Sequence, residues 1–524
     1  MTLVAGVDFG TAGVRVAIVD SDRGRLGSGA AAYATQRRAD DPDFATQRHA
    51  DHLQALVDAM HEAIAPANID GRQIEALAVA TTGSTMVPVG AGLEPLADYY
   101  LWCDHRAWRE AAEITAAARR EGLEALHYSG GAYLPEFGFA KLLHWLRNHA
   151  EARPRLVTAL EHCDMLAATL CGIHDPLAVP RSVCAMGHKW MWNESLGGLP
   201  SEAFLTSVDP LLAGVRARLG GRYGRGDQRA GTLCTAWAER LGLRPGIPIP
   251  FGGLDAHWDA IGAGIRLGDI VNVIGTSTCV MAIADRLGPA AGVCGVVAGS
   301  IHPSYTGIEA GLSAVGDLFD AIARRASTTT AELFNAIAGY RSGQTGLLRL
   351  VWDNGDRTVL GNPRLRGATF GWNLAHTAAD ELFAALEGTA FHTRIIVEHM
   401  RQQGVAVRRV INTGGAARKS PVLNRVYANV LGAPVLVAKD DTTCLGAAIF
   451  ALLAAGAFDS VEQAQDQVCP EHVIIEPDPR DRHVCDELYG CFRALYSSLG
   501  REQSAPISLG GLFHQVQALA KPSR

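Results

Sequence analysis

One pattern occurs twice in this chain. Residues 4–20 read V-A-G-V-D-F-G-T-A-G-V-R-V-A-I-V-D, and residues 269–285 read D-I-V-N-V-I-G-T-S-T-C-V-M-A-I-A-D. Each is a β-branched apolar run, a Gly-Thr turn of small residues and a second apolar run. That is the signature of a β-hairpin whose turn leaves backbone N–H groups open. Two such hairpins about half a chain apart predict two related domains facing one another. The length of 524 residues, too great for one ordinary hydrophobic core, points the same way.

Around the hairpins, strands alternate with helices. Residues 76–81 form an apolar strand that runs into the polar turn Thr81-Thr82-Gly83-Ser84-Thr85. Residues 108–126, 139–149 and 379–403 carry helical periodicity, whereas the Gly- and Arg-rich stretch 215–235 reads as a loop. Residues 409–413 form a strand that meets the pair Gly414-Gly415. Ser420-Pro421 then supplies an N-cap with proline at the first helical position, and Gly432 closes that helix. Val435–Val437 is a strand, Asp440-Asp441 a turn, and Thr443–Leu453 a helix. The expected product is an α/β chain in two halves with ligand sites in the cleft between them.

The chemistry-bearing residues cluster at these turns. A tight turn at Gly10 and Thr11 presents N–H groups suited to phosphate oxygens. Asp8 beside it would repel phosphate unless a divalent cation lay between, so Asp8 reads as a Mg²⁺ partner, acting through water. The second turn, Gly275-Thr276-Ser277-Thr278, has Val273 where the first has Asp8. One carboxylate shared by two turns fits a single metal-bound polyphosphate. In Phe251-Gly252-Gly253-Leu254-Asp255-Ala256-His257, Asp255 stands at a strand end over the cleft. It suits the base that accepts a hydroxyl proton in phosphoryl transfer, with His257 structural beside it. No G-x-x-x-x-G-K-[ST] loop, nucleophile elbow or H-E-x-x-H helix is present; Gly414 to Ser420 lacks the glycine before lysine.

These segments, in this order, resemble the FGGY carbohydrate kinases from about residue 3 to about residue 500. The resemblance implies a two-lobed actin/hexokinase-like (ribonuclease H-like) fold. Its implied domains are an N-terminal sugar-binding domain over 1–262, a C-terminal ATP-binding domain over 263–500 and a tail over 501–524. It makes Asp255 the general base, and Gly275, Thr276 and Ser277 a phosphate motif. T-G-G-A-A-R-K-S-P is similar to the family's adenosine motif, implicating Gly414, Gly415 and Lys419. Four stretches are similar to the family's ribulokinases: L-W-C-D-H-R-A at 101–107, C-A-M-G-H-K-W-M-W-N-E-S-L-G-G-L-P at 184–200, Y-T-G-I-E-A-G-L-S-A-V-G-D-L-F at 305–319, and the segment after Gly414. They imply sugar contacts from Trp102, Asp104, Lys189 and Glu309, with ATP and Mg²⁺ as cofactors. The implied reaction is phosphorylation of a ketopentose such as L-ribulose in carbohydrate catabolism. Other pentuloses, tetritols or pentitols, or a non-catalytic sensor, stand as alternatives. The turn has Ala12-Gly13 where ribulokinases carry a polar pair that includes serine, so backbone donors would act alone there.

A net charge of −7 opposes broad binding to nucleic acid or an anionic membrane, and no run of about twenty apolar residues occurs. Eleven cysteines without a C-x-x-C pair fit a reducing cytoplasm rather than a disulfide framework. A homodimer is implied by the resemblance alone.

Overall fold

Each hairpin sits at the centre of its own sheet. In the structure, a computed structural model describing residues 1–65, 69–501, 504 and 507–520, the strands Leu3–Phe9 and Gly13–Asp20 pair antiparallel and continue into Gly24–Ala32. On the other side of Leu3–Phe9 lie Ile74–Thr81 and then Gly253–Leu254, both parallel. The second sheet repeats this plan. Asp269–Ile274 and Thr278–Ala284 form the hairpin, Thr306–Leu312 continues it, and Arg409–Thr413 and Val435–Ala438 add in parallel on the far side. Gly295–Ala298 and His472–Ile475 extend the edges of this larger sheet. A shared strand order is the repeat made three-dimensional, and it takes the two sequence hairpins out of the realm of chance.

Two helices lie between the sheets. Asp255–Gly262 and Thr443–Ala454 cross at glycines: a Cβ at Gly446 would overlap the Trp258 carbonyl, and one at Gly262 would overlap the Thr442 carbonyl. A Cβ at Gly6 would likewise strike the Cys444 carbonyl, so the second helix lies directly on the first sheet. One apolar cluster joins Val4, Ala78 and Ala80 of the first sheet to Val271, Met281 and Ile411 of the second through Trp258, Ile261, Ala447 and Ile449. Small side chains let the helices approach, and burial of this layer fixes the two sheets on one axis.

A further antiparallel sheet in the N-terminal lobe, including Ala45–Gln47, Met86–Val89 and Tyr99–Tyr100, carries the segment with Trp102. Behind it, Lys141 is fully buried in the helix Gly138–Asn148. Its ammonium donates to the carbonyls of Ser84, Tyr100 and Leu101 at 2.8, 3.2 and 2.7 Å, and burial lowers its pKa to about 8.

Two expectations need correction. The helix expected over 108–126 breaks at Gly122, which takes a left-handed φ of 62° and ends Trp108–Glu121 before Glu124–Tyr128 begins. The stretch 215–235 holds a short helix, Val215–Arg218, and the strand Arg229–Thr232, with Leu219 and Leu233 buried. In the tail, Ser508 caps a helix, Leu509–Leu519, whose Leu512 and Val516 enter the core of the C-terminal lobe. Among the described residues no helix is long and apolar enough to cross a membrane, and all eleven cysteines are free.

Candidate functional site

Between the lobes lies an open cleft. Thr11, Gly83 and Trp102 line it from one side, Gly275, Thr276, Ser277, Gly414 and Gly415 from the other, with Asp255, Asp259 and Glu309 between.

The Gly-Thr turns are aimed by their carbonyls. Tyr33 donates its hydroxyl to the Gly10 carbonyl at 2.6 Å, and Gln47 donates its amide to the Thr11 carbonyl at 2.7 Å. In a planar trans peptide the following N–H points opposite to the carbonyl, so the Thr11 and Ala12 amides face away from these partners. The second turn uses backbone instead. The amide of Gly316 donates to the Gly275 carbonyl at 3.0 Å, and those of Val315 and Asp317 to the Thr276 carbonyl at 2.9 and 3.2 Å, which turns the Thr276 and Ser277 amides around in the same way. Two pairs of N–H groups are thereby held ready without any serine hydroxyl at position 12.

Asp8 lies on the first hairpin directly opposite Arg15 in the strand register. Arg15 donates its Nε–H to Asp8 at 3.0 Å, and its guanidinium spans to Asp441 of the C-terminal lobe. Asp8 is buried, its Oδ1 has no partner, and burial, partly offset by Arg15, raises its pKa to about 6. Asp8 Oδ1 is an unsatisfied carboxylate oxygen within reach of the charges of Asp441 and Asp259, and carboxylate oxygen is the ligand a hard cation such as Mg²⁺ prefers.

Asp255 opens its helix at the end of the strand Gly253–Leu254 and lines the cleft. Burial, and then the charge of Asp8, raise its pKa to about 7. One helical turn on, Asp259 accepts hydrogen bonds from the Thr442 and Thr443 hydroxyls at 3.0 and 2.7 Å, tying the helix of Asp255 to the opposite lobe.

Lys189 donates to both carboxylate oxygens of Glu309, at 2.9 and 2.8 Å, across the lobes. Burial opposes ionisation of Glu309, yet Lys189 and His257 hold its pKa well below the usual carboxylate range. Glu309 faces the cleft; Lys189 stands behind it. His257 bridges Cys184 and Glu309 at 3.0 and 3.2 Å.

Not every expected residue meets the cleft. Asp104 is buried outside the cleft lining, where it accepts from the Ala45 amide at 3.0 Å and from the Arg106 guanidinium at 2.7 Å. Lys419 is exposed on the last turn of its short helix, and Arg418 lines the cleft in its place. Trp102 does line the cleft, and its indole N–H donates to the Thr11 hydroxyl at 3.0 Å. Residues missed at the sequence level are Arg15, Asp259, Arg357, Arg418, Asp441, Thr442 and Thr443. Asp259 was within reach: four residues past Asp255 on a helix, it shares that face. Arg357 comes from a loop far away in sequence and is anchored on the Thr278 carbonyl at 2.7 Å, for which no local pattern exists.

Comparison with known proteins places this geometry. The N- and C-terminal domain models of the FGGY family of carbohydrate kinases match residues 3–176 and 270–455. The chain belongs to the FGGY family of carbohydrate kinases. It is 34% identical to a ribulokinase of Vibrio parahaemolyticus, with 98% of this chain and 97% of that one covered. It is 32% identical to a ribulokinase of Mycolicibacterium smegmatis, over 95% and 94%. A xylulose kinase of Rhodospirillum rubrum superposes with a TM-score of 0.79 at 20% identity, covering 98% of this chain and all of that one. The glycerol kinase of Plasmodium falciparum with ADP gives 0.75 at 15% identity, over 92% and 96%. This FGGY member is an ATP-dependent sugar kinase with the two-lobed fold of its superfamily.

Proposed function

We propose that this kinase transfers the terminal phosphoryl group of ATP to the hydroxyl oxygen on carbon 5 of L-ribulose, giving L-ribulose 5-phosphate and ADP. The observation that carries the reading is the placement of Asp255. It lines the same cleft as Thr11, Thr276, Ser277 and Glu309, the last of which is bonded to Lys189. Ribulokinases spanning nearly the whole chain support the choice of sugar.

The amides of Thr11, Ala12, Thr276 and Ser277 bind the phosphate oxygens, and the Gly414-Gly415 turn borders the nucleotide. Asp8 would hold Mg²⁺ through water, and that ion, when bound, supplies positive charge to a polyphosphate lying among carboxylates. Glu309 and Lys189 hold sugar hydroxyls, Glu309 facing the cleft directly and Lys189 setting its charge and orientation. Trp102 offers its ring face to the sugar while its N–H secures Thr11. Asp255, with a pKa of about 7, accepts the proton of the attacking hydroxyl, a good match to neutral pH. Closure of the lobes on the shared helix pair excludes water and suppresses ATP hydrolysis.

The test is ADP release, by a coupled assay, against L-ribulose, D-ribulose, D- and L-xylulose, ribitol, L-arabitol, erythritol and glycerol. Preference for L-ribulose is expected. Preference for another sugar overturns the substrate and keeps the chemistry of Asp255; silence with ATP still bound overturns the kinase reaction.

A further inference from the structure

A second group of side chains converges behind the cleft, and one of its atoms is left without a partner. His188 and Lys189 end the helix Val183–Lys189, His257 lies two residues past Asp255, and Glu309 sits on Thr306–Leu312. His188, His257 and Glu309 are each at least 96% buried.

The Ser300 hydroxyl lies 2.9 Å from the Val297 carbonyl and 3.0 Å from His188 Nε2; with its proton on the carbonyl, its oxygen accepts from His188 Nε2–H. That leaves Nδ1 of a neutral His188 carrying a lone pair, and Nδ1 lies 3.4 Å from Oε2 of Glu309 with no hydrogen-bond partner. A lone pair facing a carboxylate oxygen in a buried site is repulsive unless something positive stands between them. His257 Nε2 is 3.2 Å from the same oxygen, and the three ligand atoms all lie within 4.8 Å of one another. Two ligands at 2.0–2.1 Å from a tetrahedral zinc are about 3.3–3.4 Å apart, so both nitrogen–oxygen separations match that geometry.

We propose that His188 Nδ1, His257 Nε2 and Glu309 Oε2 form a binding site for a zinc-like divalent transition metal, distinct from the magnesium position at Asp8, and that its occupation blocks the sugar side of the cleft. Imidazole nitrogens select such metals over magnesium, which prefers oxygen. Glu309 lines the cleft and gives the ion its way in. On binding, His257 loses its Nε2–H to solvent and keeps Nδ1–H, donated to Cys184 Sγ, now 3.0 Å away. Ser300 and Cys184 then orient the two rings, as outer partners of metal-bound histidines do. Lys189 gives up Oε2 and retains Oε1 of Glu309, with which it also bonds. The blockade rests on the reading that Glu309 and Lys189 serve the sugar; the metal site itself does not.

The experiment uses the full-length protein in excess Mg²⁺, titrated with Zn²⁺ in competition with a chromogenic chelator. One zinc per chain is expected. His188→Gln should weaken binding by about 100-fold and Ser300→Ala by about 10-fold. The second substitution guards against a folding defect in the first. Protein that takes no zinc from the chelator, or zinc bound equally well by both variants, overturns the site. Zinc should also raise the KM for whichever sugar the substrate panel selects while sparing that for ATP; zinc bound as expected with the sugar KM unchanged overturns the blockade. Since binding is read without turnover, failure of the sugar assignment and failure of the metal site are separate results.

Discussion

The Gly10–Thr11 and Gly275–Thr276 turns occupy equivalent places in equivalent hairpins, yet different kinds of partner hold them. The first is braced by side chains, Tyr33 and Gln47 on its carbonyls and Trp102 on the Thr11 hydroxyl. The second is braced by main-chain amides at the start of the helix Gly316–Arg325. The positions opposite one another behind the turns differ in the same sense: Asp8 and Arg15 in the first hairpin, Val273 and Cys279 in the second. A duplicated scaffold has thus divided its labour. The N-terminal copy carries a charged pair behind its turn; the C-terminal copy carries none at the equivalent positions. A side-chain brace is open to point substitution, whereas a backbone brace is vulnerable only where a new atom would push the chains apart.

That contrast yields tests of decreasing size. Asp255→Ala removes the base that the N-terminal sheet delivers and should lower kcat by about 10²–10⁴-fold with the sugar KM little changed; near-normal turnover in steady-state assays would contradict its role. Asp8→Asn should cost about 10²-fold in kcat, because the phosphate loses its metal anchor while Arg15 stays in place. If instead Asp8→Asn proves silent, the charge asymmetry between the hairpins has no catalytic meaning. The pH profile sharpens the point. Asp255 must be ionised to accept a proton and titrates at about 7, so kcat/KM should fall roughly tenfold per pH unit below that value. The negative charge of Asp8 raises that pKa; Asp8→Asn should therefore move the acid limb to lower pH, and a limb that stays put would refute the coupling.

Smaller effects probe the braces themselves. A Cβ at Gly316 would overlap the Gly275 carbonyl, so Gly316→Ala should destabilise the protein by about 1–3 kcal/mol in denaturant unfolding and raise the KM for ATP. Trp102→Phe keeps the ring and loses one hydrogen bond to Thr11. With about 0.5–1.5 kcal/mol at stake, it should reduce kcat/KM by about twofold to tenfold without changing stability. Equal sensitivity of the two turns to side-chain substitution would erase the distinction drawn above.

Local chemistry made much of this legible. Turn glycines, the Ser420 cap with Pro421, and Gly432 in left-handed conformation act within a few residues, and all three stand where their sequence signals put them. The strand order could only be suspected, since it depends on parallel pairing between segments hundreds of residues apart. Carboxylates were harder still. Asp104 and Asp255 each follow an apolar run, but an arginine two residues on pairs with the first, while the second forms no ion pair with arginine or lysine among the described residues and is only partly offset by His257. Lys141 reads as an ordinary polar position of an amphipathic helix and is instead wholly enclosed, because its partners are three carbonyls from other segments. Partners contributed by distant backbone leave no trace in residue pattern.

The glycine crossing at the centre of the molecule has a mechanical corollary. Helices that touch backbone to backbone, with no side chain between Gly262 and the Thr442 carbonyl or between Gly446 and the Trp258 carbonyl, behave like two rods pressed together at one point. Such a joint resists being pulled apart and resists sliding, yet offers little resistance to rolling. Atoms near the axle travel least and rim atoms farthest. In a rotation of the lobes about that contact, Asp255, at the head of one rod, would keep its aim while the outer faces of the lobes moved through the larger arc.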